Sequence, residues 1–221
     1  MTSVRNDSAR FDKAERLEAD PAPLHGLVLV GGQSSRMGRP KWALRYRGEP
    51  HGLALYRTVS HFCDQTFLSI RPEQESDPEL SDYPHISDRF PGMGSLGGIL
   101  SAMTKYPQAA WLVVACDLPF LEAGTMERLL ADRDPSKCAT SYRSPFDGMP
   151  EPLCAVYEPE ACLRLLQTAE LGHNCARKML MNSEVEVIES RDPRELTNVN
   201  QPHEYEEAVA RLRAEGQAQR E

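Results

Sequence analysis

Apolar residues fall along this chain in short runs, each broken by a polar, glycine- or proline-rich connection. Leu27–Val30 is an unbroken apolar run of strand length that stops at Gly31-Gly32. It shows no alternation, which predicts a strand buried on both faces, as in a parallel sheet. Trp111–Ala115 reads the same way and is the clearest such run; Thr66–Ile70 and Val185–Ile188 follow it. Lys137–Tyr142, Leu153–Tyr157 and the short His85–Asp88 complete the strand candidates. Between them the apolar spacing changes. Leu55, Tyr56, Val59 and Phe62 share one face of a helix over Leu53–Phe62, and Ala161, Leu165 and Leu166 do so over Pro159–Leu171. Further helices are predicted over Ile99–Tyr106, Thr125–Leu130, Cys175–Leu180 with Asn174 as its cap, and His203–Ala214. Pro72–Pro84 is acidic and holds three prolines, so it reads as a surface loop. Strands alternating with helices from Gly26 to Ala210 predict an α/β fold, a doubly wound, mostly parallel sheet in a single domain. That domain is expected over residues 24–215. A charged, mobile extension ending in Pro21-Ala22-Pro23 precedes it, and a flexible tail over 216–221 follows.

Composition narrows the class without changing this outline. The 221 residues suit one α/β domain with a full core, and 40% hydrophobic with 26% charged residues is ordinary for a globular protein. A formal net charge of −8 disfavours a broad nucleic-acid surface. An acidic protein that takes an anionic ligand must gather its cations locally, and Arg36, Arg39, Lys41, Arg45 and Arg47 are so gathered. No leader-like segment opens the sequence, and no apolar run approaches the ~18 residues of a membrane span. The expectation is a cytoplasmic protein without a membrane partner. The six cysteines contain no C-x-x-C pair and lie mostly in apolar segments, which predicts reduced, buried thiols.

Candidate chemistry begins where the first strand ends. Gly31 and Gly32 let the backbone turn sharply and approach a ligand closely; Gln33, Ser34 and Ser35 add polar donors; Arg36, Arg39 and Lys41 add charge. A strand feeding such a turn suits a polyphosphate. The spacing is neither Walker A nor the G-x-G-x-x-G dinucleotide pattern, because Gly31 and Gly32 are adjacent and Arg36 or Met37 stands where Walker A has its second glycine. A second glycine-rich stretch, Pro91–Gly98, precedes a predicted helix and offers either another close approach to a ligand or tight helix–sheet packing. Asp117 follows the Trp111–Ala115 strand and is held by a proline turn. Ligands gather beyond the carboxyl ends of parallel strands, so this carboxylate is placed to bind Mg²⁺, which takes one or two carboxylates plus substrate phosphates. A turn aspartate is the alternative. Asn198 and Asn200 offer neutral oxygens and amides suited to a metal–phosphate edge or a pterin-like ring; a turn before Pro202 is the alternative. Glu151 is a weaker site candidate, otherwise a surface acid.

The order G-G-x-S-x-R-M-G-x-x-K, formed by Gly31, Gly32, Ser34, Arg36, Met37, Gly38 and Lys41, resembles the signature of nucleotidyltransferases with a Rossmann-like core. Within them the chain is most similar to the molybdenum cofactor guanylyltransferase family, over roughly residues 25–210. The family's G-P-L-[AG]-G motif, which contacts the nucleotide, is matched by Gly94, Ser95, Leu96, Gly97 and Gly98, with Ser95 where proline is usual. Asp88 stands in the place of the family's upstream acid. Cys116-Asp117-Leu118-Pro119-Phe120 matches the family's C-D-x-P-[FL], whose aspartate binds magnesium. Pro152-Leu153 with Tyr157 resembles the substrate-side P-L-x-x-x-[YF] segment. Asn198-Val199-Asn200 resembles the N-[IV]-N-T-P rim, with Gln201 replacing threonine.

What the resemblance implies is nucleotidyl transfer. GTP would lie across the Gly31–Lys41 loop, and the terminal phosphate of molybdopterin would attack its α-phosphorus and release pyrophosphate. Arg36 and Lys41 would hold the leaving group, Asp117 would hold Mg²⁺, and Pro152, Asn198 and Asn200 would form the acceptor rim. Gly31-Gly32 favours GTP, whereas Pro40 before Lys41 and the shorter loop are shared with cytidylyl and sugar-phosphate relatives. CTP on molybdopterin or an NTP on a sugar or polyol phosphate is therefore the alternative; an NTP-binding module without turnover is the second. A protein that delivers the acceptor or takes the product is compatible with any of the enzyme readings, and no motif identifies one.

Overall fold

The structure is a computed structural model that describes residues 22–34 and 36–218. The extension expected over residues 1–23 lies outside the described residues except for Ala22 and Pro23, as do Ser35 and the last three residues of the expected tail. Seven strands form one sheet: β1 (Leu24–Leu29), β2 (Gln65–Ile70), β3 (His85–Ser87), β4 (Ala110–Ala115), β5 (Ala139–Arg143), β6 (Pro150–Tyr157) and β7 (Val185–Ile188). Their order is β3-β2-β1-β4-β6-β5-β7. All pairings are parallel except those of β6, which runs antiparallel to both β4 and β5.

The long helices are α1 (His51–Ser60), α2 (Ser95–Lys105), α3 (Ala123–Ala131), α4 (Ala161–Glu170), α5 (Ala176–Met181) and α6 (Pro202–Ala218). Alternate strand residues serve opposite layers. Val28, Leu112 and Val114 pack with Leu55 and Val59 of α1 and Met126 and Leu129 of α3. Leu27, Trp111 and Val113 pack with Leu96, Ile99 and Met103 of α2, Leu165 of α4 and Met179 of α5. This two-sided burial is why the strands read as unbroken apolar runs. A third, smaller cluster joins Met37, Leu44 and Tyr46 to Val199 and to Ala208 and Leu212 of α6. No helix among the described residues is long and apolar enough to cross a membrane.

Four expectations change. Helix α2 starts at Ser95, inside the glycine-rich stretch, so Gly97 and Gly98 lie in its first turn. A Cβ on Gly98 would stand only 2.4 Å from Ser69 Oγ, and one on Gly97 would stand 2.7 Å from the Phe90 carbonyl; here the glycines serve helix–sheet packing. Asn174 does not cap α5. Cys175 holds the cap position, and the Asn174 amide donates instead to the Gly92 carbonyl at 3.5 Å. The Pro72–Pro84 loop is more structured than its composition suggests: a 3-10 turn spans Pro72–Gln74, and Leu80 is fully buried. Helix α6 runs on to Ala218, through the first residues of the segment expected as a tail.

Candidate functional site

The carboxyl ends of β1, β2 and β4, with the residue that follows β3, border a cavity of about 680 Å³. Its floor is the loop after β1. The Val30 N–H donates to the Ser69 carbonyl at 3.0 Å, the last backbone tie before the chain leaves the sheet. Gly31 lies so close to the next strand end that a Cβ would fall 3.3 Å from the Arg71 nitrogen and 3.4 Å from its Cγ, while a Cβ on Gly32 would meet nothing within 4 Å. The second glycine thus borders open space and lines the cavity. Ser34 has φ +51°, an uncommon left-handed conformation for a residue with a side chain, of the kind held in place at functional loops. Three bonds hold it: its carbonyl accepts the Met37 N–H at 2.9 Å, its Oγ accepts the Lys41 N–H at 3.0 Å, and the same hydroxyl donates to the Gly32 carbonyl at 3.4 Å. The hydroxyl thereby ties the start of the loop to its end. Gly38, at φ +70°, makes the turn between them and does not line the cavity.

Lys41 points across the cavity. Its Nζ lies 3.2 Å from Asp117 Oδ2 and donates to Asn200 Oδ1 at 2.5 Å. These residues come from three distant parts of the chain, and the backbone explains their meeting: the Val199 N–H donates to the Asp117 carbonyl at 2.8 Å, pinning the Asn198–Asn200 segment against the end of β4. Asp117 Oδ1 is buried and has no hydrogen-bond partner among the described residues. A buried carboxylate oxygen left unpaired is costly. Mg²⁺, a hard ion that takes one or two carboxylates and completes its shell with phosphate oxygens, can use this free carboxylate oxygen, while Asn200 Oδ1 is taken by Lys41. Cys116 is not a nucleophile here: burial pushes its thiol up to about 12, so it is neutral.

Of the five clustered cations, Arg36 and Lys41 line the cavity. Arg39 stacks over the Tyr205 ring at 4.6 Å, Arg45 donates to the Gly48 carbonyl at 3.0 Å, and Arg47 pairs with Glu122 at 3.2 Å. The far wall carries Asp88, Gly94, Ser95 and Gly98. Asp88 Oδ1 accepts the Phe90 N–H at 2.8 Å and the Ser101 hydroxyl at 3.3 Å. Gly94, at φ +56°, holds the cap position of α2. Leu96 is wholly buried in the core and Gly97 packs against Asp88; neither lines the cavity.

On the expected acceptor side, Asn200 lines the cavity and Asn198 does not. Pro152 is buried, with its carbonyl accepting the Tyr157 hydroxyl at 2.8 Å; its neighbour Leu153 reaches the cavity. Glu151 is not a surface acid. It is 3% exposed, accepts the Leu153 N–H at 3.1 Å and pairs with Arg177 at 3.0 Å. Burial raises its pKa against the pull of that N–H and of Arg177. Arg71 and Glu73 also line the cavity and escaped the sequence reading. A charged residue just past a buried strand was the signal that singled out Asp117, but at Arg71 the acidic, proline-rich segment that follows masked it.

Comparison with known proteins identifies the family. Residues 26–187 match the family model described as the MobA-like NTP transferase domain. A molybdenum cofactor biosynthesis bifunctional protein from Synechocystis sp. is 35% identical over 202 residues, which cover 91% of this chain and 58% of that protein. The chain thus spans less than two thirds of that relative's length. A molybdenum cofactor guanylyltransferase from Pseudomonas putida is 28% identical over 194 residues, covering 84% of this chain and 97% of the relative. Among solved structures, molybdopterin-guanine dinucleotide biosynthesis protein A from Archaeoglobus fulgidus shares the fold, with a TM-score of 0.71 at 24% identity, covering 86% of this chain and 99% of that one.

Proposed function

The chain belongs to the MobA-like NTP transferase family, and from that premise we propose that it transfers GMP from GTP to the terminal phosphate of molybdopterin, releasing pyrophosphate. The observation that carries the reading is the convergence of Lys41, Asp117 and Asn200 at the mouth of the Gly31–Lys41 loop. The names of relatives such as the Pseudomonas putida guanylyltransferase support GTP and molybdopterin as the substrates.

In this mechanism the backbone of Gly31–Ser34 cradles the triphosphate, and Gly32 leaves room for it. The acceptor's phosphate oxygen attacks the α-phosphorus, and the bond from that phosphorus to the bridging oxygen of the β-phosphate breaks as pyrophosphate leaves. Lys41 and Arg36 offset the charge that gathers on the leaving group. Asp117, with Asn200 beside it, would hold Mg²⁺. Bound there, the ion would supply further charge neutralisation at the phosphates. No protein nucleophile is needed, since a phosphate dianion is already deprotonated; positioning and charge compensation carry the catalysis.

The test is pyrophosphate release by the purified chain with molybdopterin, Mg²⁺ and each NTP in turn. Release with GTP is expected. Release with CTP alone, or binding without release, would overturn the assignment.

A further inference from the structure

Two charged side chains on the cavity wall have no task in the reaction just described. Arg71 and Glu73 follow β2 directly and line the cavity on the side away from Asp117. Adjacent strands stand ~4.8 Å apart, and β2 lies two strands from β4, so this wall is about 10 Å from the Asp117 side. A triphosphate held over β1 and β4 with its nucleoside directed along the cavity toward β2 would bring the base to this wall.

The turn that carries the pair is fixed before any ligand arrives. The Arg71 N–H donates to Gln74 Oε1 at 2.9 Å, the Gln74 N–H donates back to the Arg71 carbonyl at 2.9 Å, and the buried Gln74 amide reaches the Val30 carbonyl at 3.5 Å. The Arg71 side chain runs close past Gly31, where a Cβ would stand 3.4 Å from its Cγ. Its Nε–H is buried and has no hydrogen-bond partner among the described residues. Glu73 is exposed on the same turn.

We propose that Arg71 and Glu73 read the guanine base, the guanidinium donating to O6 and N7 and the carboxylate accepting from N1–H and the 2-amino group. This rests on the GTP reading above and adds the residues that enforce it. Guanine joins two adjacent acceptors to two adjacent donors, and arginine is the side chain that most often meets O6 and N7. A carboxylate is acceptor-only and matches the two donors. Cytosine would set its own acceptors, N3 and O2, against Glu73, and adenine lacks the 2-amino group.

The experiment is equilibrium binding of GTP, ITP, 7-deaza-GTP and CTP, each with Mg²⁺, to the full chain and to the Glu73→Gln and Arg71→Met variants. ITP lacks the 2-amino group and 7-deaza-GTP lacks N7. The wild type is expected to prefer GTP over each by about 10-fold, in line with the discrimination of paired base contacts. Glu73→Gln should erase the preference over ITP and keep that over 7-deaza-GTP; Arg71→Met should do the reverse. Such crossed losses would not follow from general damage to the fold, and Glu73 is exposed enough to replace without unfolding. If both variants keep both preferences while the wild type still favours GTP, the base-reading role is wrong and the proposed function stands. If the wild type favours CTP, both fail.

Discussion

Lys41 joins the two ends of the site: its backbone N–H is bound by Ser34 Oγ and its ammonium meets Asp117 and Asn200. Under the proposed mechanism Lys41 is a half-buried charge facing the leaving group, and losing such a charge costs about a few kcal/mol, so Lys41→Ala should slow pyrophosphate release on the order of 10²-fold or more. Arg36 is exposed and lines the cavity, where solvent and salt would screen a contact with phosphate. Arg36→Ala is expected to cost less, to act more through KM than through turnover, and to leave the melting temperature unchanged. Asp117→Asn keeps the shape and removes the charge; a titration of the rate with Mg²⁺ should then need far more ion to reach its plateau. A variant that saturates at the wild-type concentration would show that the carboxylate is not the ion's ligand. Lys41 and Asp117 were legible in the sequence because each sits in a compact motif whose chemistry is complete within a few residues. Arg71 and Glu73 were not, because their place on the cavity wall depends on strand order, which no local spacing encodes; Glu151 was a candidate, but its burial was not readable.

Helix α2 shows how far the apolar pattern reaches and where it stops. Its body was readable from Ile99 onward, but its first turn was hidden by glycines that normally mark a loop. They are tolerated because the helix lies directly on β2. Gly98→Ala would press a methyl against Ser69 Oγ, itself 5% exposed and without room to retreat. The expected cost is ~1–3 kcal/mol, the usual range for overpacking, read as a lower midpoint in urea denaturation. The direction of β6 was equally hidden, since a strand buried on both faces has the same apolar run either way. A pH-dependent element lies at the 3-10 turn Pro193–Leu196, where burial, then Glu122 and Asp192, push Glu195 up to about 7. The folded chain keeps that proton up to about pH 7, whereas the unfolded chain releases it nearer the ordinary carboxylate value. Stability therefore falls as pH rises through this window. Glu195→Gln should melt above the wild type at pH 8, and the gap should close by pH 5. A gap of the same size at both pH values would place the effect in packing rather than charge.

At the scale of the whole molecule, the site is bordered by the segment around Asn200 and by helix α6 that follows it. Asn200 is delivered by a segment anchored by the Val199 bond to Asp117, by burial of Val199 and by the helix that follows. Glu204 in the first turn of α6 accepts the Asn200 and Gln201 N–H groups at 2.6 and 2.9 Å. Farther along, Ala208 and Leu212 bury themselves against Met37, inside the Gly31–Lys41 loop, and Leu44, just past it. Helix α6 thus braces the loop after β1 as well as the Asn200 segment, and this cluster is separate from the two cores on the sheet faces. Leu212→Ala and Leu165→Ala separate bracing from plain stability. Both remove a buried leucine, and each should cost about 2–5 kcal/mol. Leu165 lies in the core beneath α4, away from the cavity. Leu212→Ala should therefore raise KM for the nucleotide several-fold at a temperature where both variants remain folded, while Leu165→Ala leaves KM at the wild-type value. Equal KM values in the two variants would mean that α6 stabilises the fold without holding the loop, and the positioning of Lys41 would have to come from Ser34 and the sheet alone.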